Sequence, residues 1–125
     1  MRLLTGSVLL TTAALVVACG ASTPVPADKV TQTQAAIRAA EEVGAPNVPK
    51  AALHLKMARD QFQTAQGLIA EEENEQATLV IDRARVDAEL ALALARESDF
   101  RAKAAEQLEK VKKLQQDIKD AQGGQ

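Results

Sequence analysis

The chain has 125 residues, with 15 Lys plus Arg against 17 Asp plus Glu, one His, one Cys, two Phe, and neither Trp nor Tyr. Hydrophobic residues make up 46%, much of it alanine, which favours helix strongly but buries little area, so close-packed helices fit and a β-sandwich or a Rossmann fold does not. A formal net charge of −2, with acids and bases interspersed and no Trp or Tyr and only two Phe to stack on bases, argues against a nucleic-acid binder.

Met1 and Arg2 form a short basic region, and residues 3–17 follow without a charge. At about 15 residues this run is shorter than the roughly 20 needed to span a bilayer, so residues 1–18 read as a signal peptide. The run ends Val16-Val17-Ala18-Cys19, which resembles the lipobox of bacterial lipoproteins, with the single cysteine at its acceptor position. The chemistry needs these residue types. A thiol accepts the diacylglycerol, a small residue before it admits the signal peptidase between Ala18 and Cys19, and the freed amine takes a further acyl chain such as palmitate. Each buried methylene contributes roughly 0.8 kcal/mol, so two or three chains hold a protein on a membrane. By resemblance to enterobacterial lipoproteins, Gly20 rather than Asp after the cysteine favours the outer membrane, facing the periplasm, over the inner membrane.

Residues 19–27 are small, polar and rich in proline, the composition of a tether. The helical domain spans 28–122, with 123–125 as a tail. Its first helix covers 28–43, with Asp28 as N-cap, Gly44 as the left-handed C-terminal residue, and Val30, Ile37, Ala40 and Val43 on its apolar side. Ala45-Pro46-Asn47-Val48-Pro49 forms a corner, since two prolines remove backbone donors. The second helix covers 49–70, opened by Pro49 and striped by Leu55, Ala58, Phe62, Ala65 and Ile69. Glu71-Glu72-Glu73-Asn74-Glu75 reads as a turn, without the spaced ligands and glycine of a calcium loop.

The third helix covers 75–121. Ala77, Ile81, Ala84, Ala88, Ala91 and Ala95 make a small-residue seam for the second helix, while Leu79, Val86, Leu90 and Leu94 make a stripe expected to take the first. Beyond about Arg96 it should outrun its neighbours, since a second helix of some 22 residues covers only about 33 Å. Phe100, Ala104, Val111, Leu114, Ile118 and Ala121 continue at heptad-like spacing, broken by Gln107, with Leu108 at the flank. Leu108, Val111, Leu114 and Ile118 are the candidate partner contacts. The fold class expected is all-α: an antiparallel hairpin with a short first helix and a long, partly protruding, coiled-coil-like C-terminal helix.

Catalytic constellations are missing from this pattern. His54 has no Cys or carboxylate at ligand spacing and reads as an exposed helix residue, and a zinc site would need three or four ligands. Ser22 and Ser98 lie far from it in sequence, and Asp82, Asp87, Glu97 and Asp99 read as solvated faces. No cofactor, metal or small-molecule substrate is implied. The partners implied are the membrane, through the lipid, and a second copy or another envelope protein.

Residues 35–96 resemble a family of small bacterial envelope lipoproteins known as domain of unknown function 4398. The resemblance lies in Ala-Ala-Glu-Glu-Val-Gly-Ala at 39–45, in Pro49, Leu53, Ala58, Phe62 and Ala65, and in Arg-Ala-Arg-Val-Asp-Ala-Glu-Leu-Ala at 83–91 with Leu94 and Ala95. It implies a lipidated helical periplasmic domain and carries no catalytic residues. Ala58, Phe62 and Ala65 with Ala77 also resemble the helix pair of tetratricopeptide repeats, which makes a peptide-binding module the alternative expectation, ahead of an envelope enzyme.

Overall fold

The computed structural model describes residues 23–123. The signal sequence, Ala18 and Cys19 lie outside the described residues. Among those described, three α-helices follow one another: α1 (Ala27–Glu42), α2 (Pro49–Ala70) and α3 (Asn74–Gly123), with one 3-10 turn at Ala45–Asn47. The architecture is the all-α hairpin with a long third helix that the composition implies.

Each helix end has a local cause. α1 starts after Pro26, and Asp28 sits in its first turn rather than at the cap, where no side chain bonds the free amides. A carboxylate there still meets the positive end of the helix dipole. α1 stops because Gly44 takes φ 90° and donates its amide to the Glu41 carbonyl at 3.0 Å. The 3-10 turn then tucks Ala45 into the core, and Pro49 occupies the first turn of α2, where its missing donor costs nothing. α2 ends in the same way without a glycine. Glu72 adopts φ 62° and donates to the Ile69 carbonyl at 3.1 Å, while Glu73 donates to the Leu68 carbonyl at 2.9 Å. This pair of bonds is a Schellman closure.

α2 runs antiparallel to α3: it leaves the Glu71–Glu73 turn at one end, and its first residues Val48, Pro49 and Lys50 lie beside Leu94, Glu97 and Ser98 at the other. α1 runs parallel to α3, because Lys29 at its start pairs with Asp82 at 2.6 Å, and Ile37 and Ala40 join Ala88, Ala91 and Ala95 in one buried cluster. α1 lies mainly on α3 and is tied to α2 by the Arg59 to Glu41 ion pair, also 2.6 Å.

The seam of α3 packs differently from expectation. Ala77, Ile81, Ala84, Ala88, Ala91 and Ala95 are all buried, yet the stripe assigned to α1 is not covered by it. Leu79, Val86 and Leu90 are exposed, and only Leu94 packs against the core. The reason is steric. Alanine rows let two backbones settle against one broad face of α3, and α1 offers small or slender side chains in return: Thr33, Ile37 and Ala40 are its buried residues, while Val43 is exposed. Thr33 is buried without penalty because its hydroxyl donates to the Lys29 carbonyl at 2.8 Å. On α2, Leu55, Ala58 and Ala65 are buried and Phe62 packs at the margin.

Every residue of α3 from Arg96 onward is exposed. The helix has 50 residues, about 75 Å at 1.5 Å per residue, so over a third of its length stands clear of α1 and α2.

Candidate interaction surface

Leu108, Val111, Leu114 and Ile118 all lie on this free segment, 55%, 48%, 61% and 56% exposed, and Phe100 is 67% exposed. The exposed leucines of the bundle region belong with them. Leu79, Val86, Ala93, Phe100, Gln107, Leu114 and Ala121 recur every seven residues, and Leu90, Ala104, Val111 and Ile118 fill the other apolar position of the same heptad. The buried residues Ala77, Ile81, Ala84, Ala88, Ala91 and Ala95 sit half a helical turn away, on the opposite face.

The two faces behave differently along the helix. The face that carries α1 and α2 continues beyond Ala95 as Ser98, Ala102, Ala105, Glu109, Lys112 and Gln116, and so turns polar once its neighbours stop. The outward face stays largely apolar to Ala121, with Glu97 and Gln107 as its polar positions. An apolar strip on a free helix with a polar opposite side makes this segment amphipathic. Reading the sequence as two stripes for two intramolecular neighbours obscured this, because the heptad register of Leu79 with Leu114 becomes informative only when Leu79 is known to be uncovered.

The surroundings of the strip are charged but internally paired. Arg85 bonds Glu89, Arg101 bonds Glu97, Lys103 bonds Asp99, Lys110 bonds Glu106 and Lys112 bonds Glu109, all within α3 at three or four residues' separation. Such exposed pairs contribute about 0.3–0.5 kcal/mol each and stiffen a lone helix without fixing a partner.

His54 departs from its expected exposure. It is half-buried, and its Nδ1–H donates to Asp87 Oδ1 at 2.8 Å, while Gln61 Nε2 donates to Asp87 Oδ2 at 2.8 Å. One carboxylate of α3 thus receives two donors two turns apart on α2. Asp82 is likewise paired, with Lys29, rather than solvated. Spacing along the chain could not reveal these contacts, because 33 and 53 residues separate the partners. Among the described residues, no three of His, Cys, Asp and Glu are grouped to hold a metal ion. No helix among them is long and apolar enough to cross a membrane.

The described N-terminal end lies beside the α2–α3 turn: Thr23, Pro24 and Pro26 line an open groove of about 880 Å³ with Glu72, Glu75 and Leu79. The entry of the chain and the free end of α3 are therefore at opposite ends of the molecule.

Residues 28–121 match the family described as a domain of unknown function, DUF4398, and the chain belongs to that family. No curated protein and no solved structure matches it.

Proposed function

We propose that this is a lipid-anchored bacterial envelope protein, held by Cys19 on the periplasmic side of the outer membrane, that acts without catalysis as a structural or adaptor component through α3. The observation that carries the reading is the exposed outward strip of α3, apolar at every heptad position but Arg83, Glu97 and Gln107, which supports a partner helix along its length. With the lipid on Cys19, the tether and the α2–α3 turn face the membrane and α3 projects away from it, its tip about 75 Å from its own start. The only histidine supports a non-catalytic role, since it is committed to joining α2 and α3.

Two measurements test this. Replacement of Cys19 by Ala should leave the precursor uncleaved and unlipidated; wild-type mass and wild-type membrane extraction for that variant would remove the lipoprotein reading. A photocrosslinker at Val111 should capture a specific neighbour in the native envelope, and one at exposed Lys56 should not. Equal labelling from both positions, or none from Val111, would remove the adaptor reading.

A further inference from the structure

The strip carries its own instructions for what covers it. In the heptad set by Leu79, Val86 and Phe100, the flanking positions on one side are Glu75, Asp82, Glu89, Arg96, Lys103, Lys110 and Asp117. Three acids are followed by three bases. In an antiparallel pair of helices these same flanks face each other across the seam, so a second copy running the opposite way places Glu89 against Arg96, Asp82 against Lys103 and Glu75 against Lys110, each twice by symmetry.

The polar residues inside the strip select the same arrangement. Arg83 and Glu97 are its only charged seam residues between Leu79 and Ala121. A parallel, in-register pair would stack Arg83 on Arg83 and Glu97 on Glu97, and would set Arg96 against Arg101 and Asp82 against Asp87 at the flanks. The antiparallel register defined by the flanking charges instead layers Leu90 with Ala93 and Leu79 with Ala104. It lays Arg83 over the ring of Phe100, with Glu97 of that same copy one layer away, which gives the guanidinium both a π-face and a carboxylate. Beyond the overlap, Lys110, Lys112 and Lys113 reach the acidic turn of the other copy at Glu71, Glu73 and Glu75. The ion pairs that Glu89, Lys103 and Lys110 make within α3, and the one that Asp82 makes with Lys29, are solvent-screened and exchange or share their partners at little cost.

We propose that the chain self-associates as an antiparallel dimer through the outward face of α3, with its two-fold axis beside Ala91 and Leu92. The proposal rests on reading α3 as an interaction surface and is independent of the lipid. It puts the two chain entries at opposite ends of one rod, about 50 Å apart, since Asn74 of one copy lies level with Glu109 of the other. A lipidated dimer whose long helices project from the membrane would then join two surfaces.

Cysteine crosslinking of the full chain in its own membranes tests this. Leu79→Cys and Ala104→Cys, expressed singly and together on chains of distinguishable size, should form a disulfide-linked dimer only when both are present, against an unaltered chain that controls for Cys19. Self-crosslinking of Ala104→Cys alone would establish a parallel pair and overturn the proposal. So would the absence of any crosslink in variants whose circular dichroism matches wild type. Charge exchange gives a second readout. Arg96→Glu should weaken the dimer roughly tenfold by sedimentation of the full chain in detergent, and adding Glu89→Arg should restore it to within about twofold. Failure of the double exchange to restore association would also overturn it. A Val111 photoadduct to a different protein, without self-crosslinks, would remove the homodimer while leaving the adaptor reading intact.

Discussion

Asp87 on α3 is held by His54 from one side and by Gln61 from the other, both at 2.8 Å, and its side chain is only 16% exposed. A bundle cored by alanine has little apolar area with which to fix the axial position of α2 on α3. A carboxylate gripped at two points two turns apart supplies that register. The Oε1 of Gln61 is buried and finds no partner, so the amide gives up one contact to make the other.

Removing the carboxylate should therefore cost more than an ordinary surface change. Asp87→Ala leaves two donors half-buried and unmatched, and we expect a loss of about 1–3 kcal/mol in urea unfolding. A double-mutant cycle with His54→Ala should return a coupling of at least about 0.5 kcal/mol. A coupling of zero would mean that the imidazole merely rests beside Asp87.

The alanine seam of α3 is buried throughout. Ala84 and Ala88 are 0% exposed, and an isobutyl side chain in place of the methyl has no room there without moving a neighbouring helix. Ala88→Leu should cost about 1–3 kcal/mol, whereas Ala102→Leu, on the same face but beyond the reach of α1 and α2, should fall within about 0.5 kcal/mol of wild type. Thermal unfolding of the two variants decides it; equal effects would mean that the helices are not in close contact at the alanines.

The alanine seam, the Pro49 start and the Gly44 stop were legible in the sequence because each is a local rule, carried by a side-chain size or a backbone angle. Which face each neighbour takes was not. Leu79, Val86 and Leu90 look like core residues by hydropathy alone, and only the sharing of one alanine face by α1 and α2 leaves them outside. Thr33 was missed because a hydroxyl is scored as polar, although its bond to the Lys29 carbonyl satisfies it within its own helix. Of the candidate surface, the segment from Phe100 to Ile118 could be read from its heptads, while its continuation back to Leu79 required knowing what lies on the opposite side of α3.

The ion pair between Lys29 and Asp82 joins α1 to α3, but its side chains are 34% and 38% exposed. Solvent screens such a pair, so Lys29→Ala should cost no more than about 1 kcal/mol, and the difference from wild type should shrink further in 1 M salt, where the screening length is about 3 Å. Unfolding midpoints at low and high salt measure this directly. A large, salt-insensitive loss would instead assign the effect to packing of the lysine stem.

The two helix ends make opposite predictions from one geometry. Gly44 and Glu72 both adopt left-handed backbone angles, φ 90° and φ 62°, and both complete the closure of a helix. Only glycine does so without a clash between Cβ and the backbone, a cost of roughly 1–2 kcal/mol for other residues. Gly44→Ala should destabilise the chain by about 1 kcal/mol, although the nearest atom to the added methyl, Asn47 Nδ2, stands at 3.7 Å and leaves space for it. Strain alone is therefore responsible. Glu72→Gly should do the reverse and stabilise by about 0.5–1 kcal/mol, raising the midpoint of thermal unfolding by several degrees. A loss at Glu72→Gly would show that the contacts of its side chain outweigh the relief of its backbone.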